Sequence, residues 1–336
     1  MKSATDERAQ AAGVRPGRYA AIDIGTVTCR MLVADVDDAG ALHELDREYA
    51  ITNLGEDVDR THHLKPEAIE RVASTVARFL SVLASLQAAD GVRARVTAFA
   101  TSASRDADNA AEFERRLADL GVSVTVIPGA REAALSFSGA SSCFPGEGVV
   151  VVDVGGGSTE VSAGQAGKPP VQFRSFDIGC RRVTEKFLHA DPPTASELDA
   201  ARAWVRAAFR DYFADLRTRG LLDARLVAVA GTATTVVSVR EAMAVYDSAR
   251  VHKAHVSRAD LDALFARMAA LPLAERRQVT GLDPGRAPVI VAGLLILQEV
   301  LSAGSFDGFT VSESDILQGV ILYAAQNAAG EGTQVC

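Results

Sequence analysis

The segment VVVVDVGGGSTE, residues 149–160, joins an apolar run to three consecutive glycines. A short run of β-branched residues that ends at glycines predicts a buried β-strand. A glycine turn after such a strand can present several backbone N–H groups on one side, and the missing Cβ atoms let a phosphate group come close. We therefore predict a phosphate-binding loop, although a tight hairpin would give the same pattern. Its residues are Gly155, Gly156, Gly157 and Ser158.

Two acidic residues flank this loop. Asp153 is expected at the carboxyl end of the strand, where open α/β sheets bind their ligands. A carboxylate beside a phosphate group is repelled by it unless a cation lies between them. Asp153 and Glu160 therefore suggest a Mg²⁺ site, and Mn²⁺ is an alternative ion for the same ligands.

The loop has a counterpart 130 positions earlier in the chain, where the sequence DIGTVT occupies residues 23–28. Both segments follow an apolar run and place an acidic residue before a glycine, small residues and a hydroxyl. Because repeat arrays have periods of ~20–50 residues, a repeat at this distance predicts two domains built on one plan. If the two turns face each other across a cleft, Thr26 binds the same phosphate chain and Asp23 joins the metal ligands.

A third turn of this kind comes later in the chain. Residues 226–230 predict a buried strand, and Gly231 and Thr232 follow it at the expected start of a helix. The exposed N–H groups of a helix N-terminus suit an anion or a nucleotide. Three such turns in one chain favour phosphate binding over three unrelated hairpins.

Two charged residues each allow two interpretations. Arg105 follows a predicted strand and several hydroxyl residues, which suits an anion, but an exposed arginine beside a capped helix start fits equally well. Glu132 lies in the first turn of a predicted helix, where a carboxylate stabilises the helix dipole. It could equally be a general base that takes a proton from water. Arg181 and Arg182 are predicted to be a solvated pair rather than an anion site.

The composition narrows the class of protein. The chain has 336 residues and a net charge of −8, which argues against nucleic-acid binding. Four widely separated cysteines favour a reducing, cytoplasmic location and argue against a zinc site or disulfides. No apolar run approaches the ~20 residues of a membrane span, and the polar N-terminus lacks the apolar core of a signal peptide. Residues 1–18 and 329–336 are predicted to be mobile tails.

Together these segments resemble the Ppx/GppA phosphatase family of exopolyphosphatases and guanosine pentaphosphate phosphohydrolases. The resemblance implies an α/β protein with two actin-like (ribonuclease H-like) domains of the sugar kinase, heat-shock chaperone and actin superfamily, and a cleft between them. We assign domain I to residues 19–133 and domain II to residues 134–315, and expect the helix 316–328 to pack back on domain I. The resemblance is carried by AIDIGT (21–26), ATSASRDADN (100–109), GAREA (129–133), DVGGGSTE (153–160), GTATT (231–235) and VSESDILQG (311–319).

The resemblance also implies an activity. It implies hydrolysis of the terminal phosphoanhydride bond of inorganic polyphosphate, or of the 5′-phosphate of pppGpp, with Mg²⁺. It places Glu132 at the position of the catalytic base, Arg105 at a phosphate contact, and Glu160 among the catalytic and metal-linked acids. The chain stops short of the C-terminal HD-type domain of some family members, so short polyphosphate chains are the expected substrate.

Several positions depart from the family pattern. Val27 stands where the family usually has asparagine, Arg131 where a second acid is common, and Leu317 and Gln318 where the family usually has an arginine and a glutamate. These departures leave two other functions open, a non-catalytic regulatory protein that binds polyphosphate or (p)ppGpp and an actin-like sugar or acetate kinase. A homodimer is compatible with the apolar helices near the C-terminus.

Overall fold

The computed structural model describes residues 13–327, which contain two β-sheets. The strands of the first sheet are β1 (Gly17–Ile24), β2 (Thr28–Val36), β3 (Leu42–Ile51), β4 (Ala94–Ala100) and β5 (Val124–Val126), in the order β3-β2-β1-β4-β5. Those of the second are β6 (Gly148–Val154), β7 (Thr159–Gln165), β8 (Gln172–Phe176), β9 (Arg225–Val229), β10 (His255–Ser257) and β11 (Gly308–Val311), in the order β10-β11-β9-β6-β7-β8.

The helices lie between groups of these strands, and one follows the last strand. They are α1 (Val58–Thr61), α2 (Pro66–Asp90), α3 (Ser102–Asp106), α4 (Ala110–Ala118), α5 (Gly129–Ser141), α6 (Cys180–Phe187), α7 (Ala195–Thr218), α8 (Ala230–Arg240), α9 (Ser248–Val251), α10 (Arg258–Ala270), α11 (Leu273–Arg276), α12 (Ile290–Gly304) and α13 (Ile316–Asn327).

The two sheets share one connectivity. In the first, β1 runs antiparallel to β2 and parallel to β4; in the second, β6 runs antiparallel to β7 and parallel to β9. The matching hairpin turns close in the same way, with the Gly25 N–H donating to the Thr28 carbonyl (2.8 Å) and the Gly155 N–H to the Ser158 carbonyl (3.0 Å). The predicted duplication is therefore present in the fold.

The second half has the larger apolar core. Val149–Val152 of β6 are buried, as the sequence predicts, because helices cover both faces of this sheet. Burying each valine contributes about 1.5–3 kcal/mol relative to leaving it in water. Nearly every residue of α12 is buried, which explains why that helix is apolar on all sides.

One helix has the length and apolar composition of a membrane span. Among residues 13–327 this is α2, with a mean hydropathy of 1.4 over its most apolar window. Its apolar side, which includes Val72, Val76 and Phe79, is buried in the core of the first half. Arg78 on α2 pairs with Glu48 of β3. Core helices of globular proteins can have the same length and apolar composition. The composition of α2 is therefore only weak evidence that it crosses a membrane.

Two predicted boundaries do not coincide with the ends of the observed elements. The N-terminal tail was expected to extend to residue 18, but β1 already begins at Gly17 and Arg18 is only 5% exposed. Its guanidinium donates to Asp35 (2.9 Å) and Asp90 (3.0 Å), which ties the start of β1 to β2 and α2. The domain boundary at residues 133–134 falls inside α5, so it does not separate two elements. Residues 1–12 and 328–336 lie outside the described range.

Helix α13 joins the end of the described chain to the first sheet. It packs on α5 and on β1, and its buried residues Leu317 and Ile321 share an apolar cluster with Tyr19 of β1. The two helices cross at Gly139 and Gly319, where an added Cβ would overlap the Asp315 and Leu135 carbonyl groups respectively. Glycine is needed here because the neighbouring backbone of each helix cannot move aside.

We expect Gly319→Ala to lower the free energy of unfolding by about 1–3 kcal/mol, because the new methyl group overpacks the α5–α13 crossing. Thermal unfolding measured by circular dichroism checks this. Gly148→Ala is the matched control, since its Cβ would meet only the Ala224 Cβ at an ordinary 3.7 Å. Equal melting temperatures for Gly319→Ala and the wild type would contradict this account of the crossing.

Candidate active site

A cavity of about 540 Å³ lies between the two sheets, at the hairpin turns. It brings together most of the predicted site residues from both halves of the chain. Those that line it are Asp23, Thr26, Glu132, Asp153, Gly155, Gly156, Gly157, Ser158 and Gly231. Arg105, Glu160 and Thr232 do not line it, and each contacts the site in a different way.

Helix α6 sets the orientation of the glycine loop, residues 155–158. The carbonyl groups of Gly155, Gly156 and Gly157 accept hydrogen bonds from the Cys180 N–H (2.9 Å), the Arg181 N–H (2.8 Å) and Arg182 Nε (2.9 Å), respectively. Gly179 permits this close approach, because a Cβ there would overlap Gly156. Within residues 13–327, the N–H groups of residues 156–158 have no hydrogen-bond acceptor. The loop thus turns its carbonyls towards α6 and leaves N–H groups free on the cavity side.

The first turn touches this loop across the cavity. A Cβ on Gly156 would lie 2.6 Å from Val27 Cγ2 and 2.8 Å from Thr26 Cβ. Thr26 Oγ1 is buried and has no hydrogen-bond partner in the described part of the chain. Buried hydroxyl groups are normally satisfied, so this one is available to a ligand in the cavity. Val27 contributes an apolar contact at the position where the resemblance leads one to expect asparagine.

The third turn starts a helix, as predicted, but only one of its two predicted residues lines the cavity. Gly231 lines the cavity close to the Arg286 guanidinium, and a Cβ there would overlap it. Thr232 points elsewhere: its Oγ1 donates to the Val154 carbonyl (3.4 Å), so its predicted role as a phosphate ligand is not supported. Thr234 and Thr235, one helical turn along α8, line the cavity instead. The start of a helix exposes successive side chains on different faces, and the sequence alone did not specify the register.

Arg105 and Glu132 form an ion pair next to the cavity. Arg105 Nη1 donates to Glu132 Oε2 (2.6 Å) and to the Ile127 carbonyl (3.0 Å), and the arginine side chain is only 19% exposed. The interpretation of Arg105 as a solvated residue is therefore wrong. Burial raises the pKa of Glu132 to about 7, while the positive charge of Arg105 opposes that rise.

The other carboxylates of the site are also buried. Asp153 accepts a hydrogen bond from Ser136 (2.8 Å), and burial, with a further contribution from Asp315, raises its pKa to about 6. Glu160 is the cross-strand partner of Asp153 and accepts a hydrogen bond from Ser175 (2.6 Å). Burial raises the pKa of Glu160 well above its usual range, and the charge of Glu132 adds to the rise.

These acids fit a Mg²⁺ ion only if a ligand completes its coordination. Residues 13–327 contain no group of three or more His, Cys, Asp or Glu residues placed to hold a metal. Mg²⁺ commonly takes only one or two carboxylates and completes its shell with water and phosphate oxygens. Asp23 and Asp153 line the cavity and could serve as those ligands, whereas Glu160 does not reach it. A cation would also relieve the mutual repulsion of these buried carboxylates.

Arg30 and Asp315 are among the site residues that were not predicted from the sequence. Arg30 is directly across the β1–β2 hairpin from Asp23, donates to its Oδ2 (2.6 Å) and also pairs with Asp315. Counting along the hairpin could have found Arg30. Asp315 could not have been found in this way, because it lies 285 positions from Arg30 and only the fold joins them.

The prediction that Arg181 and Arg182 are solvated is also wrong. Their side chains are 12% and 14% exposed and are hydrogen-bonded to residues of the first half of the chain. Their contacts lie beside the glycine loop rather than in bulk solvent. The local sequence gave no sign of these partners, which lie more than 70 positions away.

Comparison with known proteins identifies the family to which the chain belongs. The model of the Ppx/GppA phosphatase family matches residues 32–328. The chain belongs to this family. It is 40% identical over 324 residues to exopolyphosphatase 2 of Mycobacterium tuberculosis, an alignment that covers 92% of this chain and 98% of the relative.

Solved structures of the family share the fold. A crystal structure of an exopolyphosphatase-like protein has 32% identity and a TM-score of 0.82, and the match covers 94% of this chain and 99% of the other. The Aquifex aeolicus Ppx/GppA family member has 28% identity and a TM-score of 0.73, with 95% and 100% covered. The resemblance seen in the sequence and the actin-like two-domain fold that it implies are both confirmed.

We expect Arg105→Gln to raise the pKa of Glu132 above its wild-type value, because a nearby positive charge favours the ionised carboxylate. Carboxyl ¹³C chemical shifts of labelled glutamate, followed against pH, report this pKa directly. Arg116→Gln is the control, since Arg116 pairs with the exposed Glu70 away from the cavity. An unchanged or lower pKa of Glu132 in Arg105→Gln would refute the assigned pairing.

Proposed function

We propose that this protein is an exopolyphosphatase, which hydrolyses the terminal phosphoanhydride bond of inorganic polyphosphate. The observation that carries this proposal is the glycine loop, whose carbonyl groups are held by α6 so that its N–H groups are free on the side of the cavity that also holds Glu132. Fixed N–H groups bind phosphate oxygens well. The family membership and the exopolyphosphatase relatives support the same activity.

Two glutamates compete for the role of general base. Glu132 and Glu160 repel each other when both are ionised, so one of them is expected to stay protonated. Glu132 lines the cavity and has the Arg105 guanidinium beside it, whereas Glu160 is buried behind it with Ser175 as its partner. Glu132 is therefore the better candidate for the ionised base, and Glu160 for the neutral acid that keeps the pocket from becoming too negative.

The reaction then follows from the positions of these groups. The loop amides and the Thr26 hydroxyl hold the terminal phosphoryl group, and Glu132 accepts a proton from a water molecule as that water attacks phosphorus. The bond to the bridging oxygen breaks, and orthophosphate and a shortened chain are released. Mg²⁺ held by Asp23 and Asp153 would supply charge neutralisation for the phosphates. Positioning and electrostatics provide most of the rate in such reactions.

One feature of the cavity favours pppGpp as a second candidate substrate. Tyr246 and Met243 lie on the cavity wall together with the loop, so an aromatic base and a phosphate chain could both be accommodated. Hydrolysis of the 5′-phosphate would use the same base and the same loop. The cavity volume of about 540 Å³ suits a short polyphosphate or a single nucleotide rather than a long enclosed polymer.

We expect the wild type to release phosphate from short polyphosphate in the presence of Mg²⁺, and Glu132→Gln to lower kcat by about 10²–10⁴, the usual contribution of a general base. Phosphate release from tripolyphosphate, long-chain polyphosphate and pppGpp, measured in parallel, checks this. Glu147→Gln is the control, because Glu147 pairs with Arg225 on the exposed surface. Near-normal turnover by Glu132→Gln would exclude it as the base, and tight binding without turnover by the wild type would favour a regulatory protein.

The pH dependence of kcat/KM should show an acid limb near pH 7, because Glu132 must be ionised to accept a proton and its pKa is raised to about 7. Activity therefore falls as the pH drops below this value. Arg105→Gln should move the limb to higher pH, whereas Arg105→Lys keeps a positive charge and should move it less. A limb at the same pH in wild type and Arg105→Gln would show that another group controls it.

A further inference from the structure

Arg182 binds groups from both halves of the protein at once. Its Nε donates to the Gly157 carbonyl in the glycine loop (2.9 Å), which belongs to the second half. Its two terminal nitrogens pair with Asp59 of α1 and Asp106 of α3, which belong to the first half. The side chain is 14% exposed, so these partners replace most of its contact with water.

The neighbouring Arg181 provides a comparison. Its side chain also crosses to the first half, where it bonds Asn53, and it pairs with Glu185 on its own helix. Glu185 in turn accepts a hydrogen bond from the Asp57 N–H (3.2 Å). No loop carbonyl is among the partners of the Arg181 side chain within residues 13–327. The two arginines therefore share the bridging role, and of the two side chains that of Arg182 alone also bonds to the loop.

The bond to Gly157 has a geometric consequence for Ser158. The carbonyl of Gly157 and the N–H of Ser158 belong to one planar trans peptide unit, so they point in opposite directions. When Arg182 holds the carbonyl, the N–H is held on the opposite side, and residues 157 and 158 both line the cavity. Three consecutive glycines have unusually wide conformational freedom, so an external contact is needed to fix this peptide.

We propose that Arg182 is a positioning residue that couples contact between the two halves to the orientation of the glycine loop. The proposal rests on the proposed function, in which this loop binds phosphate. Asp59 and Asp106 fix the guanidinium through charge-assisted hydrogen bonds, which are about twice as strong as neutral ones. If the halves separate, both carboxylates leave Arg182, and the loop loses its fixed carbonyl. By reciprocity, phosphate bound to the loop favours contact between the halves.

The binding test uses the full chain in a Glu132→Gln background, so that the probe, tripolyphosphate with Mg²⁺, is not hydrolysed. Isothermal titration calorimetry should show that Arg182→Gln weakens binding about 10- to 100-fold, the range for a lost hydrogen bond to a charged group. Arg181→Gln should weaken binding less, because it removes a bridge but no loop contact. Arg225→Gln, whose partner Glu147 is remote from the cavity, should leave binding unchanged.

A second measurement needs no ligand. The Gly155 N–H is hydrogen-bonded to the Ser158 carbonyl inside the turn, and hydrogen exchange at Gly155 reports whether the turn holds its shape. Arg182→Gln should speed this exchange, whereas Arg225→Gln should not. Because no polyphosphate is present, this measurement tests the role of Arg182 independently of the proposed function. Failure of the Glu132→Gln protein to bind tripolyphosphate at all would instead count against that function.

A double-mutant cycle separates coupling from simple destabilisation. If Asp59 acts on the loop through Arg182, Asp59→Asn weakens tripolyphosphate binding in the otherwise intact protein but has no further effect beside Arg182→Gln. Additive effects would overturn the proposal, as would unchanged binding and unchanged Gly155 exchange in Arg182→Gln. Should Arg182→Gln fail to fold, Asp59→Asn and Asp106→Asn test the same link from the other half. Each single variant should speed hydrogen exchange at Gly155 less than the double variant does.

Discussion

The hydrogen bonds between the start of α6 and the glycine loop are the constraint on which the candidate site depends. The first N–H groups of a helix have no partner within the helix, and the carbonyls of Gly155, Gly156 and Gly157 have none within their turn. Here each set satisfies the other, through Cys180, Arg181 and the loop. The three glycines of the loop are therefore not sufficient to fix its conformation. Gly179 is needed as well, because it lets helix α6 begin in contact with the turn.

The duplicated hairpins have the same register but different charges. Asp23 faces Arg30 across the first hairpin, whereas Asp153 faces Glu160 across the second. In the first pair Arg30 also binds Asp315, so one guanidinium offsets part of the charge of two carboxylates. The second pair places two carboxylates side by side, and burial raises the pKa of both. The two hairpins thus share one plan, but the acid of the first shares a guanidinium with Asp315 and the acids of the second face each other without one.

The local parts of this structure could be predicted from the sequence, and the long-range parts could not. The strand at Val149–Val152, the two matching turns and the fold class follow from short patterns of apolar residues, glycines and hydroxyls. The roles of Arg105, Arg181 and Arg182 depend on carboxylates and carbonyls far along the chain, so sequence spacing carried no information about them. Thr232 does not line the cavity, because a short motif fixes the start of α8 but not which of its side chains face the cavity.

The crossing of α5 and α13 at Gly139 and Gly319 has a consequence for biosynthesis. Helix α5 carries Glu132, and the residue before α13, Asp315, completes the ion pair of Arg30 with Asp23. A nascent chain on the ribosome lacks both supports until residues 315–327 have been translated and released from the exit tunnel. The candidate site is therefore assembled only after residues 315–327 have left the tunnel, which separates the onset of activity from the folding of the earlier segments.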